Sequence, residues 1–293
     1  MPILCDRRSF LKTAFSTVAT LSVASRYVYA EPKSEVHWAL LSDIHIAADK
    51  GDTFRGFHPH ENLKAVLAKV GGVPFDSLLV NGDLARLEGK PADYEMVTEY
   101  LNPVTEKFPL AITMGNHDDR KNARSALASI AGEVQPVEKK LVMTIDAGAC
   151  EFIMLDSLLA TNVVPGQLGK SQREWLAGYL RANSSKPAII FVHHNLDADE
   201  DGALTDAGRL LEIVRPAMNV KAIIYGHTHA WKHDKQDGIH LVNVPAVAYN
   251  FKDSEPIGWT DAYFSAKGGR LKLNAIGGNM ARNGETLELP WRS

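Results

Sequence analysis

From residue 35 onward the chain repeats one pattern: a short apolar run, a polar turn, then a segment with apolar residues at helical spacing. His37–Leu41 is strand-like and ends in Ser42-Asp43-Ile44-His45. Glu61–Val70 reads as a helix, because Leu63, Val66, Leu67 and Val70 fall on one face. Ser77–Val80 is a buried strand that ends at Asn81-Gly82-Asp83, and Asp93–Leu101 is helical. Leu110–Met114 is a strand ending at Gly115-Asn116-His117-Asp118, followed by a helix to about Ile130. Leu141–Ile145 and Phe152–Leu155 form a strand pair around Asp146-Ala147-Gly148. The second half repeats the theme. Ser171–Leu180 is a helix, and the strand Ala188–Val192 ends at His193-His194. Leu204–Val214 is a helix, and the strand Val220–Tyr225 ends at Gly226-His227-Thr228-His229. The short runs Leu241–Val244, Ala262–Phe264 and Leu271–Leu273 point to an antiparallel finish. Strands alternating with helices predict an α/β domain. Two packed sheets flanked by helices accommodate both the parallel units and the late hairpins.

Composition adds a boundary. The chain has 293 residues, 45% hydrophobic and 23% charged, and its glycines and prolines are scattered, so one domain over residues 31–293 is expected. The first thirty residues differ. Asp6-Arg7-Arg8-Ser9-Phe10-Leu11-Lys12 precedes a modestly apolar run from Thr13 to about Ala24, then Val28-Tyr29-Ala30. These are the zones of an export signal cleaved after Ala30, and the paired arginines resemble a bacterial twin-arginine signal. An uncleaved membrane anchor or merely a basic N-terminal helix is the alternative, and against the anchor the run is too short and too rich in Ser and Thr to span a bilayer comfortably. Export through the twin-arginine machinery to the periplasm of a bacterium is the expectation. Cleavage would remove four basic residues and one acidic, leaving 28 and 34 and a net charge of −6. That balance argues against a long nucleic acid partner. Of two cysteines, Cys5 would leave with the signal, so Cys150 reads as a core residue and a multi-thiolate metal site is excluded.

The chemistry lies in the polar clusters. Each of five follows an apolar strand: Asp43-x-His45, Gly82-Asp83, Gly115-Asn116-His117-Asp118, His193 and Gly226-His227-x-His229. In open α/β sheets ligands gather beyond the strands' C-terminal ends, so the five can converge on one crevice. Imidazoles and carboxylates are donors that suit divalent zinc, manganese, iron or cobalt. Residues two apart in an extended segment project to one side, which would aim Asp43 with His45 and His227 with His229 into one pocket. Glycines 82, 115 and 226 would let the backbone turn sharply and approach an ion.

This ordered set resembles the calcineurin-like metallophosphoesterase superfamily from about Val36 to at least Trp231. Within it the chain looks most like bacterial cyclic-nucleotide and glycerophosphodiester phosphodiesterase-type members, including Asp118-Asp119-Arg120. The resemblance implies a four-layer α/β/β/α sandwich, two mixed sheets flanked by helices, with the site at one sheet edge. It implies two divalent or mixed-valence transition metal ions. Asp43, His45, Asp83 and His229 would hold the first; Asp83, Asn116, His193 and His227 would hold the second. His117 would stand beside the phosphate, oriented by Asp118. Arg86 occupies the place of the tyrosine of the purple acid phosphatase branch, and His193-His194-Asn195-Leu196 replaces His-His-Pro-Pro of many relatives.

The implied activity is hydrolysis of small phosphodiesters by a metal-bridging hydroxide, with His117 donating a proton to the leaving alkoxide. A phosphomonoesterase or nucleotidase would share the metal core, and a non-catalytic metal-binding protein is the rival of another class. His58 and His60 lie in a loop with Phe54 and Phe57 that reads either as a substrate lid or as a solvated loop. Arg120 and His194 are further candidates for substrate contact, against solvating or structural roles.

Overall fold

The computed structural model describes residues 33–127, 132–197, 200 and 202–293. The expected signal over residues 1–30 lies outside them. In chain order the elements begin with β1 (Glu35–Leu41), α1 (Pro59–Val70), β2 (Ser77–Asn81), α2 (Pro91–Thr105), β3 (Leu110–Thr113) and α3 (Arg120–Ala126). Next come β4 (Glu133–Val134), β5 (Met143–Asp146), β6 (Glu151–Met154), α4 (Lys170–Ala182), β7 (Ala188–Phe191) and α5 (Ala207–Val214). The chain continues through β8 (Val220–Tyr225), β9 (Lys232–Gln236), β10 (Ile239–Asn243), β11 (Pro256–Ser265), β12 (Gly268–Gly278) and β13 (Thr286–Pro290).

These strands make two mixed sheets, one of six strands in the order β13-β12-β11-β1-β2-β3 and one of seven, β4-β5-β6-β7-β8-β10-β9. β1, β2 and β3 run parallel, as do β6, β7, β8 and β10. The parallel sets therefore deliver the polar clusters that follow β1, β2, β3, β7 and β8 to one edge of each sheet. The edges are joined directly: His193 Nδ1 lies 2.9 Å from the Asn81 carbonyl oxygen, and Asn81 Nδ2 donates to the Val192 carbonyl at 3.2 Å.

Period-two alternation decides which side chains fill which layer. In β6, Phe152 and Met154 enter the cluster shared with the six-stranded sheet, whereas Ile153 packs toward α4 and α5 with Leu176, Leu180, Leu210 and Val214. β7 does the same with Ile189 and Phe191 inward, Ile190 outward. Helices α1 and α2 cover the first sheet through Leu63, Val66, Val97 and Leu101. The α/β/β/α layering follows from the sequence pattern. Phe152 sits at the junction, edge-on to Trp38 of β1 (4.5 Å), Phe191 (5.7 Å) and Phe264 of β11 (5.3 Å).

Helix limits depart from the pattern where caps override it. α2 starts two residues early because Pro91 occupies its first turn, and it runs through Pro103 to Thr105. α3 stops at Ala126, short of the expected Ile130, and residues 128–131 lie outside the described set. β9 carries no apolar signal: Lys232-His233-Asp234-Lys235-Gln236 is exposed throughout and forms a charged sheet edge, the type of strand that discourages edge-to-edge association. Cys150 is buried with its Sγ on the Ser265 carbonyl at 3.3 Å, and burial pushes its thiol up to about 12.

Removing the ring at the sheet junction leaves a cavity that two sheets cannot close together. Phe152→Ala is expected to lower stability by about 3–5 kcal/mol, read as a fall in the urea midpoint; a loss below about 1 kcal/mol would contradict this packing.

Candidate metal centre

Backbone conformation gathers the site. Asp43, His45, Asp83, His227 and His229 all have positive φ, between 44° and 68°, a region that residues with a Cβ seldom adopt. The expectation that Asp43/His45 and His227/His229 pair through extended backbone is therefore corrected: alternate left-handed residues aim these side chains inward. Such strain persists where surrounding bonds over-determine it. Asp43 N donates to the Gly82 carbonyl at 3.1 Å, His45 N to the Asp83 carbonyl at 3.0 Å, and Gly226 N to the His193 carbonyl at 2.9 Å. Gly82 has φ +78°, whereas Gly115 and Gly226 serve by close approach: a Cβ there would collide with Asp83 and with Ser42 and Asp43.

The carboxylates and imidazoles fall into overlapping groups. Asp43, His45 and His229 present donor atoms within 4.8 Å of one another, as do Asp83, His193 and His227. Asp83 Oδ2 lies between the two groups, 3.3 Å from His193 Nε2 and 3.7 Å from His45 Nε2. Asp43 Oδ1 is 3.2 Å from His229 Nε2 and 3.9 Å from His193 Nε2. His117 also stands within reach of His45 and Asp83. Its backbone N–H donates to Asp83 Oδ1 at 2.9 Å.

The outward nitrogens are fixed by backbone carbonyls. Nδ1 of His45 faces the Arg86 carbonyl (3.3 Å), that of His193 the Asn81 carbonyl, and that of His229 the Tyr249 carbonyl (2.6 Å). A carbonyl can only accept, so each Nδ1 carries a proton and each Nε2 is the inward atom, free to bind a cation when it carries no proton of its own. Burial holds His45 down to about 3 and His227 to about 4, keeping both neutral. Burial raises a carboxyl, yet the charge of His193 outweighs it and Asp83 lies well below the usual range. Conversely, Asp83 and Asp43 overcome desolvation and raise His193 to about 10, so this point demands positive charge, from a proton or a metal cation.

A metal fits these residues. Asp43 Oδ1, Asn116 Oδ1 and His193 Nε2 are buried without a hydrogen-bond partner among the described residues. Orphaned buried acceptors are costly, and two anionic or amide oxygens beside imidazole lone pairs form a donor set suited to transition-metal cations.

A family model for calcineurin-like phosphoesterases matches residues 37–231. The chain belongs to this family. A probable cyclic nucleotide phosphodiesterase of Vesicomyosocius okutanii subsp. Calyptogena okutanii (strain HA) is 26% identical over 239 residues, 80% of this chain and 95% of the relative. A glycerophosphodiester phosphodiesterase of Enterobacter lignolyticus is 24% identical over 74% of this chain and 81% of its own. The crystal structure of a dimetal phosphatase from Danio rerio superposes with a TM-score of 0.70 at 14% identity, covering 88% of this chain and 99% of that one. It shares the fold. As a member of the calcineurin-like phosphoesterase family, the chain is a metal-dependent phosphoric ester hydrolase.

Several expected contacts are relocated. Asp118 does not orient His117; its carboxylate accepts from the amides of Leu84 (3.1 Å), Ala85 (3.1 Å) and Gly115 (3.0 Å) and from the Tyr94 hydroxyl (3.0 Å). It locks the turn that carries Asp83, while His117 Nδ1 meets the Leu87 carbonyl at 3.1 Å. His60 is buried on α1 with Nδ1 at the Tyr100 hydroxyl (3.0 Å), and His58 is exposed at the start of that helix. Arg120 makes a two-pronged pair with buried Asp156 (2.6 and 2.8 Å). His194 is held by Ser157 Oγ (2.7 Å) and the Val164 carbonyl (3.0 Å), its ring 4.6 Å from His227. These fixed partners make His60, Arg120 and His194 supporting groups. Sequence reasoning missed the orienting roles of Arg86, Leu87, Asn81 and Tyr249, which act through carbonyls that every residue type possesses.

Zinc or manganese at about 100 times Kd adds roughly 2.7 kcal/mol to a protein that binds it only when folded. The melting temperature of the metal-stripped protein is thus expected to rise by about 5–10 °C on metal addition and to fall again with EDTA. An unchanged melting curve would count against the site.

Proposed function

We propose that this chain hydrolyses small phosphodiesters with two transition metal ions, the first held by Asp43, His45, Asp83 and His229 and the second by Asp83, Asn116, His193 and His227. The placement of Asp83 Oδ2 between His45 and His193 carries the reading, since one carboxylate there serves both groups. Bound metals would supply a nucleophile at neutral pH and neutralise the phosphoryl oxygens. Manganese, iron, zinc and cobalt all suit this donor set. The names of the relatives, cyclic nucleotide and glycerophosphodiester phosphodiesterases, support a diester substrate.

The protein's own groups do the positioning and the proton transfer. Asp118 fixes the Asp83 turn through the Leu84 and Ala85 amides. The His117 backbone N–H donates to Asp83 Oδ1 and steadies the carboxylate that would hold the cations. With Nδ1–H donating to the Leu87 carbonyl, His117 presents Nε2 toward the Asp83–His45 group. A proton on that nitrogen is suited to pass to the departing alkoxide oxygen, which leaves the imidazole neutral with Nδ1–H still on the Leu87 carbonyl.

Loaded with manganese, zinc, or iron and zinc, residues 31–293 are expected to cleave bis-p-nitrophenyl phosphate in preference to p-nitrophenyl phosphate, and Asn116→Ala should abolish cleavage. Monoester preference would instead establish a phosphatase, and inactivity with two metals bound would sink both. His117→Ala should keep both metals by elemental analysis while kcat drops about 10²–10⁴-fold; loss of metal would reassign His117 as a ligand.

We also propose that Met1–Ala30 directs twin-arginine export to the periplasm, as Arg7-Arg8 followed by Phe10-Leu11-Lys12 suggests. Replacing both arginines by lysine should leave the protein in the cytoplasm with residues 1–30 attached. Normal periplasmic recovery of that variant would exclude this route. No described helix is long and apolar enough to cross a membrane.

A further inference from the structure

The wall beside Asp43, His45 and His229 is aromatic. Tyr249 is buried, its ring 4.8 Å from that of His45 and 4.7 Å from that of His229. Phe54 packs against Tyr249 at 4.7 Å, and Phe251 stacks on His229 at 4.3 Å with 29° between the ring planes. Tyr249 is covered, but Phe54 and Phe251 remain 37% and 46% exposed. Exposed apolar surface gathered at the rim of a polar site is the mark of a ligand contact.

These rings are held in place. Arg55 ties the two loops together, donating from Nε to the Asn250 carbonyl (3.0 Å) and from Nη2 to the Phe251 carbonyl (2.9 Å). Asn62 Nδ2 adds a bond to the Ala248 carbonyl at 2.8 Å. Phe54 and Phe57 close their loop with reciprocal backbone bonds of 3.1 and 2.9 Å. The Arg86 guanidinium, anchored by Asp52 at 2.9 Å, lies 4.8 Å from the centre of the Phe54 ring. Surfaces ordered before binding lose little entropy when a ligand arrives.

We infer that Phe54 and Phe251 form a stacking platform for a planar heterocycle, so that the diester cleaved here carries a nucleobase. The inference rests on the phosphodiesterase reading above. Phe251 stacks on His229, whose Nε2 is 3.2 Å from Asp43 Oδ1, so a base on this ring would sit beside the residues proposed to hold the metals that bind the phosphoryl group. A glycerol-type alcohol presents hydroxyls and would need hydrogen-bonding groups at this wall. The phenyl faces supply none, the Arg55 donors named above are already engaged by carbonyls, and the Arg86 guanidinium has its Nε on Asp52 and lies against the Phe54 and Tyr249 rings. Base stacking on aromatic side chains tolerates any base, because each has a π-face.

The test compares kcat/KM for 3',5'-cyclic AMP with kcat/KM for glycerophosphocholine, using metal-loaded enzyme and the variants Phe54→Leu, Phe251→Leu and their double. Leucine keeps apolar bulk and removes the π-face. The wild type should prefer the nucleotide, and the double variant should lower the ratio of the two values by about 10-fold or more, mainly through KM. Metal content is measured alongside; Phe54, which stacks on no proposed ligand, carries the test alone if Phe251→Leu loses metal. An unmoved ratio, or a wild type that prefers glycerophosphocholine, overturns the platform while leaving the phosphodiesterase reading intact. Failure of the metal-loaded wild type on both substrates and on bis-p-nitrophenyl phosphate removes the parent reading and the platform with it.

Discussion

Two carboxylates, Asp43 and Asp83, are buried close together at the meeting edge of two sheets. Desolvated like charges repel and resist burial, so the surrounding structure must supply compensating groups in fixed places. It does so with imidazoles whose outer nitrogens are clamped by carbonyls, and with amides such as those of His117 and His227 that donate to the carboxylates. Left-handed backbone at five positions is the conformational cost of placing these groups. Strand order and turn geometry around the site meet that one electrostatic requirement.

Much of this was legible because it depends on side-chain identity. Apolar runs at period two or at helical spacing located the central strands and the helices, and the Asp, Asn and His residues immediately after five strands marked the crevice. What escaped depends on the main chain. No pattern distinguishes Leu87 or Arg86 as the residue whose carbonyl orients a histidine, and no periodicity announces β9, which is polar on both faces. The antiparallel finish was visible, but not its destination: β11 returns to pair with β1, across more than two hundred residues.

The misplaced roles share a cause. Asp118 sits next to His117 in sequence, and proximity suggested a carboxylate–histidine pair. In three dimensions its oxygens are engaged by donors from the β2 turn and α2, because a fully buried carboxylate takes the nearest rigid amides. Arg120 likewise finds buried Asp156, which also receives the Leu141 and Leu158 amides, so its charge stabilises a turn. In the stretch from Phe54 to His60, the histidines were the conspicuous residues on chemical grounds. Phe54, between them and the strand, is the one that meets the aromatic wall.

The pairing of β1 with β11 sets the order in which this molecule can be assembled. Glu35 lies opposite Ser265 and Leu40 opposite Thr260, while the other edge of β1 joins β2 within a few dozen residues. During synthesis the first strand must wait with one edge open until almost the whole chain has emerged. Long-range closure of this kind is slow and leaves unpaired backbone available to neighbours. The Asp43 turn takes an amide from Ala248, just ahead of β11, so the metal-binding edge acquires its final shape only when the last quarter of the polypeptide arrives.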